Sequence, residues 1–166
     1  MLILPFKGNF PITQKFNDSR YRSSYAKFGY CGHNGIDYGC PVGTPLIAPI
    51  SGKVLETDIW DPTGYGWYIK IVNDKEGALL GHMREASKLK PGATVNQGDA
   101  VGFSGNTGNS TGPHLHSGYY REPRDRDNGF NGYMDQTYWF SITDTVNKIF
   151  TDALNQIKFI ISNLPL

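Results

Sequence analysis

The sequence predicts a mainly β fold that ends in one amphipathic helix. Glycine is abundant, at 20 of 166 residues, and tyrosine stands at 10. That mix favours short strands and tight turns over a helical bundle. Gly and Pro recur at short intervals through the first two-thirds of the chain, with strand-like runs between them. The helix is predicted by a change of hydrophobic period near residue 143.

Gly52 to Ile59 is the first strand-like run. Trp67-Tyr68-Ile69-Lys70-Ile71-Val72 is rich in β-branched and aromatic residues and is flanked by Gly66 and Asn73-Asp74. Ala78 to Met83, Ala100 to Phe103 and His114 to Tyr120 follow. Residues 121–136 are charged and Gly-containing, which reads as loop. Asp125 and Asp127 suggest calcium at first sight, but the following Gly is at the wrong offset for an EF-hand, so they read as solvated surface. From Thr143 the residues Val146, Ile149, Ala153, Ile157, Ile160 and Leu164 recur every three or four positions. This is a helical stripe, capped by Ser141 or Thr143 and ended by Pro165. Such a stripe packs on its own domain, or it serves self-association or a protein partner. Its flanks are not basic, which speaks against a membrane surface. The chain therefore divides into a domain over 1–140 and an accessory helix over 141–166.

A length of 166 residues suits one domain with a full core. The net charge of +1 gives no footprint for nucleic acid and no polybasic anchor. No stretch is long enough to span a membrane. The apolar start Met1-Leu2-Ile3-Leu4-Pro5 is too short for a signal peptide and lacks a basic lead. A full natural chain of this kind is expected to reach its target without general secretion, although a fragment of a secreted protein would look the same. Cys31 and Cys40 bracket residues 33–37. A disulfide and a Cys ligand are both open there, but the simplest reading is two small, partly buried thiols.

The four histidines carry the chemistry: His33, His82, His114 and His116. The first lies in His33-Asn34-Gly35-Ile36-Asp37 and the last two in His114-Leu115-His116. Residues two apart in a strand share a face, so one of His114 and His116 can bind metal while the other stands beside it. The turn-rich Gly105-to-Pro113 segment delivers that strand. Gly32, Gly35 and Gly39 argue against a helix through His33 and Asp37. A strand end and turn are expected there, with Gly35 letting the chain double back. Two imidazoles and a carboxylate leave a coordination position open, as catalytic zinc requires.

These segments resemble the M23 family of zinc metallopeptidases, the lysostaphin- and LytM-like peptidoglycan endopeptidases. A His, a Gly two on and an Asp four on match His33, Gly35 and Asp37. The stretch from Tyr38 to Ala48, then Gly52-Lys53-Val54, is similar to the family's next block. His82 stands where the family has its middle histidine, and residues 98–102 and 111–116 match its Gly-rich block and His-x-His. The likeness runs over roughly residues 5–120 and implies an antiparallel β-sheet domain of the LytM type. It implies one zinc per chain on His33, Asp37 and His116, with His82 and His114 as catalytic groups. Ser117-Gly118 replaces the family's frequent Phe-Glu, a departure expected to alter the groove floor and not the metal.

The implied activity is zinc-dependent hydrolysis of peptidoglycan peptide cross-links or bridges. A bacteriophage lysin or virion-associated hydrolase, released by a holin or delivered by the virion, is the expected context. A bacterial autolysin fragment and a non-catalytic M23-like activator module are the alternatives. A D-Ala-D-Ala carboxypeptidase-like zinc enzyme is disfavoured because its Glu-x-x-His element is missing.

Overall fold

The computed structural model describes residues 2–140, 150, 153–158 and 162. One antiparallel sheet dominates it. Its backbone order is β1 (Ile12–Gln14), β2 (Ile36–Tyr38), β10 (Leu115–Arg121), β7 (Glu76–Met83), β6 (Gly66–Val72), β4 (Gly52–Glu56) and β8 (Thr94–Val95). A short β5 (Trp60–Asp61) folds back on β6, and β3 (Pro45–Ile47) pairs with β9 (Ala100–Phe103) in a separate ribbon. The expected strand from Gly52 to Ile59 is shorter than its composition suggests. It stops at Glu56, Asp58 takes a left-handed φ of 59°, and the chain turns into β5.

The strands alternate, and the alternation divides the sheet into two faces. Ile36, Tyr38, Ile69, Ile71, Leu80, Leu115 and Tyr119 enter the larger core, together with Leu46 and Val101 from the ribbon. Each fully buried Leu or Ile contributes roughly 1.5–3 kcal/mol, so this layer is a stiff floor. Tyr68, Leu79, Tyr120 and Tyr133 form a second cluster on the opposite face. Asp37 and His116 sit between core residues in sequence, so the same pleat turns them to the second face.

Cys31 is exposed and Cys40 buried, and both are free thiols. Residues 122–135 form turns and loop, between the end of β10 at Arg121 and a short 3-10 helix that begins at Gln136, with Asp125 and Asp127 exposed as expected of solvated surface. Residues 153–158 are helical, and Leu154 and Ile157 are each 52% exposed. The rest of the predicted stripe, including Thr143, Val146, Ile149, Ile160, Leu164 and Pro165, lies outside the described residues. No helix among the described residues is long and apolar enough to cross a membrane.

Candidate metal centre

Asp37 on β2 stands directly opposite His116 on β10 in the antiparallel register. Gly35 allows this closeness for a steric reason, not the one expected from sequence. It does not take a left-handed turn conformation. Instead, a Cβ there would lie 2.5 Å from the Ser117 carbonyl oxygen and 2.6 Å from the His116 ring. Gly35→Ala is therefore expected to cost about 1–3 kcal/mol, as overpacking does, and to weaken metal binding by pushing His116 aside. Thermal melts and zinc titration of the variant check both effects.

His33 precedes β2 and is locked from behind. Its Nδ1 donates to the Lys15 carbonyl at 3.0 Å, which leaves the Nε2 lone pair facing inward. That Nε2 lies 3.1 Å from Asp37 Oδ1 and 3.0 Å from His116 Nδ1, and His116 Nδ1 lies 3.0 Å from the same Asp37 oxygen. All three residues are buried. With both imidazoles neutral, at most one proton serves three contacts, and the others set lone pair against lone pair. A cation at the centre converts that repulsion into coordination. The spacing suits one, because a tetrahedral ion with ligands at about 2.0–2.1 Å holds its donor atoms about 3.3 Å apart. Burial alone would raise the Asp37 carboxyl, but hydrogen bonds and charge from His116 and His33 outweigh it and hold the group well below the usual carboxylate range. Asp37 is thus an ionised carboxylate over the whole neutral range.

His82 and His114 flank this cluster, their rings 4.5 Å apart. His114 stands one residue before β10, and its Nε2 is 3.6 Å from the outer oxygen of Asp37. Its Nδ1 donates to the Gly112 carbonyl at 2.8 Å. His82 reaches the site by a different device. Trp67 pairs with Met83 and Ile69 with Leu80, so β7 carries one extra residue against β6. This bulge falls at Gly81-His82, and His82 adopts a left-handed φ of 58°. Regular pleating would place His82 beside Leu80 on the core face. The bulge turns it to the site face, a use typical of bulges near functional centres. There its Nδ1 donates to the Thr107 carbonyl at 2.7 Å. Burial and the nearby His116 and His114 lower the His82 pKa to about 4, so it is neutral at working pH. Burial also lowers that of His116.

His33, His82 and His114 therefore each spend an Nδ1 proton on a backbone carbonyl and present Nε2. Tyr65 and Asn34 complete the wall and were not singled out from sequence. The Tyr65 ring centroid is 5.2 Å from that of His116, and the Asn34 amide donates to its hydroxyl. Asp61 Oδ2 accepts from the Tyr65 amide at 2.8 Å and fixes this turn. No periodicity or spacing in the sequence marks Tyr65, because its place depends on the β5–β6 turn.

An antiparallel sheet bearing a buried His/Asp/His cluster with two tautomer-fixed histidines beside it defines a metallopeptidase of the LytM/lysostaphin type. Residues 31–128 match the model of peptidase family M23, and the chain belongs to that family. It is 40% identical over 84 residues to an uncharacterized metalloprotease of Haemophilus influenzae, a match covering 51% of this chain and 18% of that protein. It is 37% identical over 97 residues to the peptidoglycan DD-endopeptidase ShyC of Vibrio cholerae, covering 55% and 22%. A crystal structure of a zinc-containing peptidase from Vibrio cholerae superposes with a TM-score of 0.65 at 27% identity, covering 81% of this chain and 38% of that one. The chain thus spans well under half the length of these relatives.

Proposed function

We propose that the chain is a zinc-dependent endopeptidase that hydrolyses peptide cross-links or bridges of peptidoglycan. The observation that carries this reading is the convergence of His33 Nε2, Asp37 Oδ1 and His116 Nδ1 within 3.1 Å of one another, with two further imidazoles alongside. The similarity to a peptidoglycan DD-endopeptidase supports the substrate class. His33, Asp37 and His116 would hold the zinc. Bound there, it supplies a Lewis acid for the scissile carbonyl and lowers the pKa of a coordinated water to about 7.

The remaining chemistry belongs to His114 and His82. With Nδ1–H committed to Gly112, His114 Nε2 is a proton acceptor held in one orientation. Beside the Asp37 carboxylate and partly open to solvent, it is placed to take the proton of the attacking water. Its Nε2–H then becomes the donor that the leaving amine needs. His82, more deeply buried, is the weaker base. Its Nε2 accepts a hydrogen bond and orients the attacking water. All these groups lie before residue 140, so residues 1–140 are assigned the catalytic work and 141–166 an accessory role.

The test is digestion of purified sacculi of several chemotypes by the zinc-loaded chain, with new termini identified by mass spectrometry. New amine termini at cross-links or bridges are expected, lost on chelation and restored by zinc. Intact sacculi of every chemotype, with zinc in place, would overturn the assignment.

A further inference from the structure

On the same sheet face as the metal cluster lies a chamber of about 490 Å³, with Tyr65 as the wall shared between them. Tyr68, Tyr120, Tyr133 and Arg124 line it. Three glycines seat these side chains. A Cβ at Gly118 would lie 2.8 Å from the Tyr133 ring, one at Gly77 2.3 Å from the Tyr120 ring, and one at Gly132 2.2 Å from Arg124 Cγ. Gly118 is one of the two residues that depart from the family's frequent Phe-Glu. A larger residue there would displace Tyr133 and alter the chamber.

Arg124 is held but not neutralised. Its guanidinium stacks 4.1 Å from the Tyr120 centroid and 4.9 Å from that of Tyr133, and its Nε donates to the Asn131 carbonyl at 2.7 Å. Asn128 organises the loop beneath it, accepting from the amides of Phe130 and Gly132. Among the described residues no carboxylate pairs with this guanidinium. The two acids in the lining are otherwise engaged. Glu56 takes Lys70 and the Tyr68 hydroxyl, each at 2.9 Å, and meets the Arg124 charge only through space, while Glu122 accepts the backbone amide of Arg124 at 2.8 Å. The terminal nitrogens of Arg124 are left to the chamber, on a planar fork already fixed in orientation. Such a fork matches a carboxylate in bidentate geometry.

We propose that this chamber is a carboxylate-binding subsite that receives an acidic group of the peptide substrate, with Arg124 as its anion hook. The inference rests on the reading of the chain as a peptidoglycan peptidase. Tyr120 is four residues from His116 along β10, a separation of about 14 Å at about 3.4 Å per residue. A carboxylate held by Arg124 over the Tyr120 ring would therefore lie about four residues of extended peptide from the metal cluster.

Binding to the metal-depleted full chain tests this independently of catalysis. Two probes are titrated calorimetrically: a diaminopimelate-containing stem peptide with free carboxylates, and the same peptide with those carboxylates amidated. The acidic peptide is expected to bind about tenfold tighter, the scale of one charge-assisted hydrogen bond, and the preference should shrink as salt rises. Arg124→Gln should abolish the preference and Arg124→Lys, a point charge without the fork, should restore part of it. Melting curves confirm that both variants fold, and the comparison of the two peptides on the unaltered chain needs no variant. Equal binding of both peptides overturns the proposal, as does an Arg124→Gln protein that keeps the preference. A chain that discriminates between the peptides but cuts no sacculus when zinc-loaded would instead sink the peptidase reading.

Discussion

Asp37→Asn is expected to empty the metal centre. The substitution keeps the size of the side chain and its place opposite His116, but it replaces the anionic oxygen that both His33 and His116 face at 3.0–3.1 Å. Changing a residue that merely supports a ligand typically costs about 10–100-fold in metal affinity. Removing the one charged ligand is therefore expected to cost more than about 100-fold. The variant should come through dialysis against a mild chelator with almost no zinc, where the parent keeps one per chain, and hydrolysis should fall with it. Affinity in the parent should itself fall on acidification, because protons then compete for the imidazoles, and at His116, which burial lowers, that competition sets in below the usual imidazole range. Retention of a full equivalent by the Asn variant, measured by metal analysis, would remove Asp37 from the ligand set.

Much of this arrangement is legible in the residues, and the illegible part has physical reasons. Strands β4, β6, β7, β9 and β10 show in sequence because each is four or more residues long, enough for a strand-like run between turn residues to register. Strands β1, β2, β3, β5 and β8 are two or three residues long, too short for a period to register. His33, Asp37 and His116 stand out through their spacing. The acceptors that fix the histidine tautomers do not, because the carbonyls of Lys15, Thr107 and Gly112 are backbone atoms that any residue supplies. The orientation of His82 is equally silent, since the bulge exists only in the pairing of β7 with β6. Gly35 in sequence suggests a turn former, although its need is space for an imidazole contributed from 81 residues away. The Arg124 chamber falls in a segment whose composition says only loop, and its shape comes from glycines scattered over β7, β10 and the loop itself.

The second large effect separates two histidines that differ by one step of the pleat. His114→Ala is expected to keep zinc and lose about 10²–10⁴-fold in hydrolysis, the contribution typical of a general acid–base group. His116→Ala is expected to lose both metal and activity. The difference follows from which nitrogen faces what. His116 turns Nδ1 into the cluster, within 3.0 Å of Asp37 and of His33, and is buried. His114 spends its Nδ1 proton on Gly112 and brings only Nε2 near the outer Asp37 oxygen, at 3.6 Å. At that distance His114 would stand beside the proposed ligand set and not within it. Metal analysis of both variants, alongside rates on one soluble cross-bridge peptide, makes the comparison. Zinc lost from His114→Ala and kept by His116→Ala would show the roles to be reversed. Equal loss from both would mean that His114 is itself a ligand, and the proton transfer would then have to pass to His82, whose low pKa makes it the poorer base.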